Sequence, residues 1–157
     1  MRDQLYETLM SDDRKDAPGE DTEIILDVSP YARFLGLRVH RSDASIRLRM
    51  PYHVDLIGSP FPPRLHGGTV GALMEIAGLV CVNAERFRAD GLGETDPKMI
   101  GITIDYLRAG APEDVWASAE IRRMGRRFAN VSARAWQNDP EKLIATARMN
   151  LLLPKNA

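Results

Sequence analysis

One long apolar run constrains this chain more than any other feature: residues 67–84 read GGTVGALMEIAGLVCVNA. The run is too long for a typical strand, so it predicts a helix. Apolar residues occupy all sides of the helical wheel, which indicates a helix that the rest of the fold covers on most sides. Glu75 is the one charged residue in it. Any fold of this chain therefore has to enclose a long helix that carries a single carboxylate.

The segments on either side of this helix predict the strands that enclose it. Ser29-Pro30 begins a short helix, residues 37–41 and 44–51 form a hairpin, and the prolines of residues 52–65 indicate a loop. After a loop at residues 87–97, short breaks separate four strand-like runs, which predicts an antiparallel meander. The result is an α+β fold with one antiparallel sheet wrapped around the helix. The four runs are Met99–Arg108, Val115–Met124, Arg127–Gln137 and Leu143–Leu153.

Length and charge describe one domain with an acidic extension. The chain has 157 residues, a number typical of a single domain. Residues 1–24 hold eight acidic and three basic residues, which predicts an acidic N-terminal arm that is partly helical or disordered. Residues 25–157 are predicted to form the single globular domain.

Composition excludes several classes of function. A net charge of −1 argues against a general nucleic-acid binder. The single cysteine, Cys81, argues against a disulfide framework, and the three histidines form no close pair that would indicate a structural zinc site. No segment has the pattern of a signal peptide or an uninterrupted membrane span. We therefore expect a cytoplasmic protein without a metal.

The motif His66-Gly67-Gly68 stands where the loop becomes the long helix. Glycines let a ligand approach the backbone closely, and the first N–H groups of a helix lack internal partners. Such an end can stabilise the negative charge that develops on a carbonyl oxygen. Glu75 lies two turns further on, about 12 Å along the axis, which is too far to serve the same carbonyl. If both groups act together, a second copy of the chain must supply the carboxylate.

Two interpretations of Glu75 stay open at this point. The carboxylate lies on a solvent-facing stripe or pairs with an arginine, or it is held for chemistry, because burying an isolated carboxylate is costly. His66 is expected to position the turn, which leaves the role of base to Glu75.

These residues, in this order, resemble the hot-dog-fold acyl-CoA thioesterases, and most closely their phenylacetate-pathway (PaaI-like) branch. The resemblance covers about residues 29–153. Besides His66-Gly67-Gly68 with an acid nine residues after the histidine, three segments carry it. They are Pro30-Tyr31-Ala32-Arg33-Phe34-Leu35-Gly36-Leu37, Leu56-Ile57-Gly58 and Ile104-Asp105-Tyr106-Leu107-Arg108.

The resemblance implies a reaction and an assembly. Subunits of that family pair through their sheets into homodimers, often doubling to homotetramers, and bind acyl-CoA at the dimer interface. Carried over, Gly67 donates its N–H to the thioester carbonyl, Gly68 lies beside the substrate, and Glu75 of the partner subunit is the base or nucleophile. No cofactor is implied, because CoA is part of the substrate.

Departures from the family pattern concern the substrate side of the site. Relatives often carry Asn or Asp where this chain has Ser59, and Ser or Thr where it has Met99. Ser59 can still form a hydrogen bond, but Met99 cannot replace a hydroxyl. The acid is Glu75, where this branch more often has Asp. The expectation is a low activity or an unusual substrate.

A second cluster, Arg122-Arg123-Met124-Gly125-Arg126-Arg127, is predicted to form the turn between two strands. Guanidinium groups suit phosphates, and relatives carry a similar Gly-Arg turn, which implies that CoA binds near Arg126, with Arg123 and Arg127 beside it. A solvated hairpin end explains Arg122 and Arg123 equally well.

Other functions fit less of this pattern. An α/β-hydrolase also uses His-Gly-Gly, but this sequence has no Gly-x-Ser-x-Gly motif. Cys81 is interpreted as a residue that packs in the helix and not as a nucleophile. A hot-dog hydratase or dehydratase uses its histidine as base within a different local motif. A non-catalytic acyl-CoA-binding sensor on the same fold stays open, because Ser59 and Met99 depart from the family pattern.

Overall fold

One antiparallel sheet of seven strands packs against the long helix that the apolar run predicts. The computed structural model describes residues 2–10, 22–42, 45–90 and 95–154. Its helices are α1 (Arg2–Met10), α2 (Pro30–Phe34) and α3 (Gly67–Asp90). Its strands are β1 (Thr22–Ile25), β2 (Arg38–Ser42), β3 (Ser45–Met50), β4 (Ile57–Pro60), β5 (Pro63–Leu65), β6 (Lys98–Tyr106), β7 (Val115–Met124), β8 (Phe128–Trp136) and β9 (Ala145–Leu152).

The core lies between α3 and the inner face of the sheet. Leu73, Met74 and Val80 of α3 are almost completely buried. The facing strands supply small side chains, with Ala117 on β7 and Ala133 on β8, so the helix approaches the sheet closely. By length and hydropathy α3 could span a membrane, but 67% of its most apolar window is buried inside the protein. The α+β architecture predicted from the sequence is confirmed.

The strand order corrects one prediction. The large sheet runs β1-β2-β3-β7-β8-β9-β6, so β7, β8 and β9 form a meander but β6 does not join it beside β7. Instead β6 pairs with β9, from Lys98 opposite Leu152 to Tyr106 opposite Ala145. The connection from β6 to β7 crosses the sheet and lies against β5, where the Gly110 carbonyl accepts from the Leu65 N–H at 3.0 Å. As a result β6 forms one edge of the sheet.

Two predicted loops are partly regular structure. The proline-rich segment 52–65 contains a 3₁₀ turn and the small sheet β4–β5. Pro60 ends one strand and Pro63 begins the other. Proline has no N–H to donate, and at these strand ends no hydrogen bond in the middle of the strand pair is lost. Helix α3 continues to Asp90, past the predicted end at Ala84, because no helix breaker intervenes and Phe87 still finds a partner.

That partner lies in the predicted N-terminal arm. The arm begins with a helix, α1, and Tyr6 stacks on Phe87 with ring centroids 6.4 Å apart. Tyr6 and Leu9 are buried, so this part of the arm packs on the core and is not a solvated extension. Residues 11–21 lie outside the described residues, and β1 begins at Thr22, inside the predicted arm boundary of residue 24.

The hairpin β4–β5 depends on a close approach at Gly58. A Cβ at this position would lie 2.7 Å from His66 Cα. Only glycine therefore lets β4 approach His66, the residue that precedes α3. The His66 N–H donates to the Leu56 carbonyl at 2.8 Å across the same contact. The entry into α3 is therefore fixed from the hairpin side.

Four strands are joined on the outer face of the sheet by charges around Glu23. Its Oε1 accepts from His40 Nε2 at 3.0 Å and from Arg49 Nε at 3.0 Å. Arg49 also donates to Asp114 Oδ2 at 3.0 Å and lies over the Trp116 ring. Burial raises the pKa of Glu23, but the hydrogen bonds from Arg49 and His40 outweigh it, so the pKa lies below its ordinary value of 4.5.

Replacing Glu23 by Gln tests this network through pH. A lowered carboxyl pKa means that the unfolded chain binds the proton more readily, so the stabilisation is complete above pH 4.5 and is lost as pH falls through the folded-state value. We expect the free energy of unfolding of Glu23→Gln to lie below wild type at pH 7. The difference should shrink below pH 4.5 in urea titrations. A difference that stays constant down to pH 3 would contradict this assignment.

Replacing Gly58 by Ala tests the close approach. The added Cβ must displace backbone, so we expect a loss of about 1–3 kcal/mol in the free energy of unfolding, measured in urea. Gly125→Ala is the matched control, because its Cβ would meet nothing nearer than the Phe128 carbonyl at 3.7 Å. Equal free energies of unfolding for Gly58→Ala and Gly125→Ala would contradict this prediction, because they would show that the β4–β5 hairpin moves aside at no cost.

Candidate active site

The start of α3 is built so that one backbone N–H is left over. His66 Nδ1 accepts the Gly68 N–H at 2.9 Å, and the His66 carbonyl accepts both the N–H of Thr69 at 3.0 Å and its Oγ1 at 2.7 Å. Within the described residues, no acceptor lies on the Gly67 N–H. Because an unpaired donor at a helix start can bind an anionic oxygen, Gly67 has the geometry of an oxyanion donor.

The side chain of His66 is occupied by this arrangement. Since Nδ1 accepts a hydrogen bond, the neutral ring carries its proton on Nε2. The ring also lies where a Cβ on Gly68 would be, at 2.8 Å from Nδ1. This geometry suits the positioning role predicted for His66 better than the role of a base.

Tyr106, to which no local sequence pattern gives a role, closes the other side of Gly67. Its hydroxyl donates to the Gly67 carbonyl at 2.7 Å, and a Cβ on Gly67 would lie 3.1 Å from its ring. Gly67 and Tyr106 line one cavity of about 330 Å³ with Leu65 and Gly110. The segment 104–108 carries part of the resemblance to relatives. The contact between Tyr106 and Gly67 is not predictable from that pattern, because the two residues are 39 apart in sequence.

Glu75 is half-buried and makes no hydrogen bond or ion pair within the described part of the chain. A Cβ on Gly71, one turn earlier, would lie 2.8 Å from Ile104 Cδ1 on β6. Residues four apart share a helix face, so Glu75 lies on the side of α3 that faces the edge strand. Along the helix axis it is about 12 Å from Gly67, so one subunit does not bring the two groups together.

The remaining predicted residues lie at different distances from Gly67. Ser59 is half-buried on β4 opposite Arg64, in the hairpin that leads to His66. Met99 is half-buried near the start of β6, where it packs against the core, so it lies at the opposite end of that strand from Tyr106.

The arginines at the β7–β8 turn are also remote within one subunit. Arg123, Arg126 and Arg127 are exposed. The turn precedes Phe128, which pairs with Leu152, and Leu152 pairs with Lys98. It therefore lies level with the first residue of β6, about 27 Å along the strand from Tyr106.

Cys81 has the environment of a packing residue. Burial raises the pKa of its thiol, which disfavours the reactive thiolate. Its Sγ lies 3.5 Å from the Ala119 carbonyl, beside a cavity of about 730 Å³ that does not include Gly67. In residues 2–10, 22–42, 45–90 and 95–154, no group of three His, Cys, Asp or Glu side chains could hold a metal ion.

Known proteins are similar to this chain in sequence and in fold. The sequence matches the family described as the acyl-CoA thioesterase N-terminal domain over residues 58–150, more than half of the chain. The medium/long-chain acyl-CoA thioesterase YigI of Escherichia coli strain K12 is 28% identical over 127 residues, covering 75% of this chain and 81% of that protein.

Two solved structures show the same architecture at lower identity. A phenylacetic acid degradation-related protein of Ralstonia eutropha JMP134 is 21% identical, with a TM-score of 0.68, and the match covers 94% of this chain and 97% of that one. A Bacillus halodurans protein solved with CoA is 20% identical, with a TM-score of 0.61 and coverage of 74% and 72%. Together with the family match, the sheet and its central helix place this chain in the acyl-CoA thioesterase family, as a thioester hydrolase of the hot-dog fold.

Proposed function

We propose that the protein hydrolyses an acyl-CoA to the free acid and CoA, as a homodimer whose two sites lie between the subunits. The observation that carries this proposal is the Gly67 N–H, which lacks an acceptor among the described residues, on a helix that holds the half-buried carboxylate of Glu75 two turns away. One donor and one carboxylate are the groups that thioester hydrolysis needs, and a second copy supplies the missing half.

The surface for that second copy is the free edge of β6. One side of this nine-residue strand pairs with β9, and the other leaves a row of backbone donors and acceptors open to a further strand. Ile100 and Ile102 on it are 55% and 38% exposed. The opposite edge, β1, has only four residues, a length that discourages pairing.

The pairing register follows from how β6 runs along α3. Tyr106 lies at Gly67 and Ile104 at Gly71. Four helix residues rise about 6 Å and two strand residues about 7 Å, so the two elements advance together. Glu75, one turn beyond Gly71, is therefore level with Ile102.

Antiparallel pairing centred on Ile104 brings the two halves of the site together. In that register Ile102 of the partner subunit faces Tyr106. Glu75 of the partner subunit is then level with Gly67, where one acyl group can reach both.

The same register moves the arginine turn toward the site. Lys98 of the partner subunit, which is level with that subunit's arginine turn, lies four strand positions, or about 14 Å, beyond Tyr106. The arginine turn of the same subunit lies about 27 Å from Tyr106. The turn with Arg123, Arg126 and Arg127 of the partner subunit is thus the nearer one. Its guanidinium groups suit the phosphates of CoA, and the pantetheine arm spans the interval.

The reaction then needs only groups of this chain and water. The thioester carbonyl accepts the Gly67 N–H, which stabilises the negative charge of the tetrahedral state. Glu75 of the partner subunit takes a proton from water, whose oxygen bonds to the acyl carbon, or it attacks that carbon itself and water releases the acid. The C–S bond breaks, and the CoA thiolate leaves and is protonated. Ser59 and Gly68 lie on the substrate side.

Several finer assignments belong to this proposal. The phenylacetate-pathway branch, a cytoplasmic location and doubling to a tetramer rest on the sequence resemblance. Met99, at the far end of β6 from Tyr106, contributes through the partner subunit or not at all. We also propose that no metal or redox cofactor takes part.

Replacing Glu75 by Gln tests the carboxylate. Gln keeps the size but neither accepts a proton nor attacks, so we expect thiol release from acyl-CoAs to fall about 10²–10⁴-fold. Binding of acyl-CoA, measured by calorimetry, should persist. Glu85→Gln is the matched control on the same helix, because Glu85 is exposed and pairs with Arg88 at 3.2 Å.

Unchanged turnover in Glu75→Gln would refute the assignment of the acid. If wild type binds acyl-CoAs of short, long and aryl type but releases no thiol from any of them, the hydrolase proposal fails and the sensor alternative stands.

A disulfide tests the register. Thr103 faces Asp105 of the partner subunit when pairing is centred on Ile104, and both side chains are exposed. In a Cys81→Ala background, Thr103→Cys with Asp105→Cys should give a covalent dimer on mild oxidation, seen on a non-reducing gel. Thr103→Cys alone should not, because diagonal neighbours are about 7–8 Å apart. Efficient cross-linking of the single variant would mean a different register.

A further inference from the structure

We propose that Thr69 and Tyr106 are positioning residues that hold the His66–Gly67 peptide as the oxyanion donor. The inference rests on the proposed function for its catalytic meaning, but the contacts that carry it are hydrogen bonds within one subunit. Two hydroxyls act on the same short stretch of backbone, one from each side of Gly67.

Thr69 acts on the peptide that carries the donor. The carbonyl of His66 and the N–H of Gly67 belong to one planar unit and point in opposite directions. Thr69 donates to that carbonyl twice, from its N–H at 3.0 Å and from its Oγ1 at 2.7 Å, and its side chain is 8% exposed. Two donors on the carbonyl fix the plane and polarise the peptide, which makes the N–H at its other end a stronger donor.

Tyr106 acts on the next peptide. Its hydroxyl donates to the Gly67 carbonyl at 2.7 Å, and its ring lies where a Gly67 Cβ would be. Glycine has the greatest backbone freedom of any residue, so Gly67 would otherwise be the loosest point of the helix start. The ring and hydroxyl remove that freedom without placing a side chain between Gly67 and the substrate.

The position of Tyr106 also ties the donor to the subunit interface. The residue is 54% exposed on the edge strand, and in the proposed register it lies opposite Ile102 of the partner subunit. Pairing of the two edges covers Tyr106, so the contact that brings the carboxylate also steadies the donor.

Removing each hydroxyl alone tests the proposal. In Tyr106→Phe and Thr69→Val we expect kcat for acyl-CoA hydrolysis to fall about tenfold each, because small misplacements of a catalytic group are costly. KM should stay within about twofold, since neither hydroxyl is assigned to the substrate. The matched controls are Tyr31→Phe, on an exposed ring stacked on Phe34, and Thr146→Val, on the outer face of β9. Both should retain wild-type kcat.

Two further readouts separate positioning from other roles. The NMR order parameter of the Gly67 N–H should fall in both variants and stay unchanged in both controls, because it reports how firmly the peptide is held. The shape of the kcat–pH profile should be preserved. Wild-type kcat and a wild-type Gly67 order parameter in both variants would overturn the proposal, and so would a changed pH profile in Tyr106→Phe, which would make Tyr106 a proton-transfer group.

Failure here is distinguishable from failure of the proposed function. If Glu75→Gln is inactive but both hydroxyl variants are fully active, only the positioning proposal falls. If wild type has no thioesterase activity, the proposed function falls, while the order parameter of the Gly67 N–H still reports whether the two hydroxyls hold the backbone at Gly67. Urea midpoints of each variant establish that it is folded, and two independent substitutions keep the test decisive.

Discussion

The close approach of α3 to the sheet is the constraint on which the rest of the structure depends. A Cβ at Gly78 would lie 2.5 Å from Met149 Sδ, and one at Gly71 would lie 2.8 Å from Ile104 Cδ1. These glycines weaken an isolated helix, yet here they let its backbone come within reach of β9 and β6. The low helix propensity of the two glycines destabilises α3, and dense packing against small side chains on the inner face of the sheet offsets that loss.

This approach decides where the chemistry can be. A helix held rigidly on the sheet keeps Gly67 and Glu75 two turns apart, and no side-chain rotation closes about 12 Å. Glu75 also lies on the side of α3 nearest the free edge of β6. A two-fold axis at this edge would place Glu75 of one copy level with Gly67 of the other. In the proposed dimer, edge pairing and assembly of the site are one event, because the edge proposed to pair is the edge that carries Tyr106.

The sequence predicts those parts of the molecule that local patterns determine. The helix from Gly67 and the cap at Ser29, whose side chain accepts the Ala32 N–H at 3.1 Å, follow from spacing and capping rules. So do six of the strands, which are the hairpin β2–β3 and the four runs that form β6 to β9. The place of β6 at the edge does not, because partner choice in a sheet depends on contacts distant in sequence. The prolines of residues 52–65 suggested a loop, and the strands there exist because the breakers fall at strand ends.

The same distinction applies to the site. The motif His66-Gly67-Gly68 and Glu75, the one charged residue of the apolar run 67–84, are visible in the sequence because their chemistry is unusual in an apolar segment. The hydroxyls of Thr69 and Tyr106 are not, since a Thr in a helix and a Tyr on a strand are ordinary residues until the fold sets them against the two peptides that flank Gly67. A single N–H has little power as a catalyst unless its direction is fixed before the substrate arrives. In the proposed site the hairpin before His66, the first turn of α3 and the last residue of β6 meet that need, so the donor is held in place only in the completed fold.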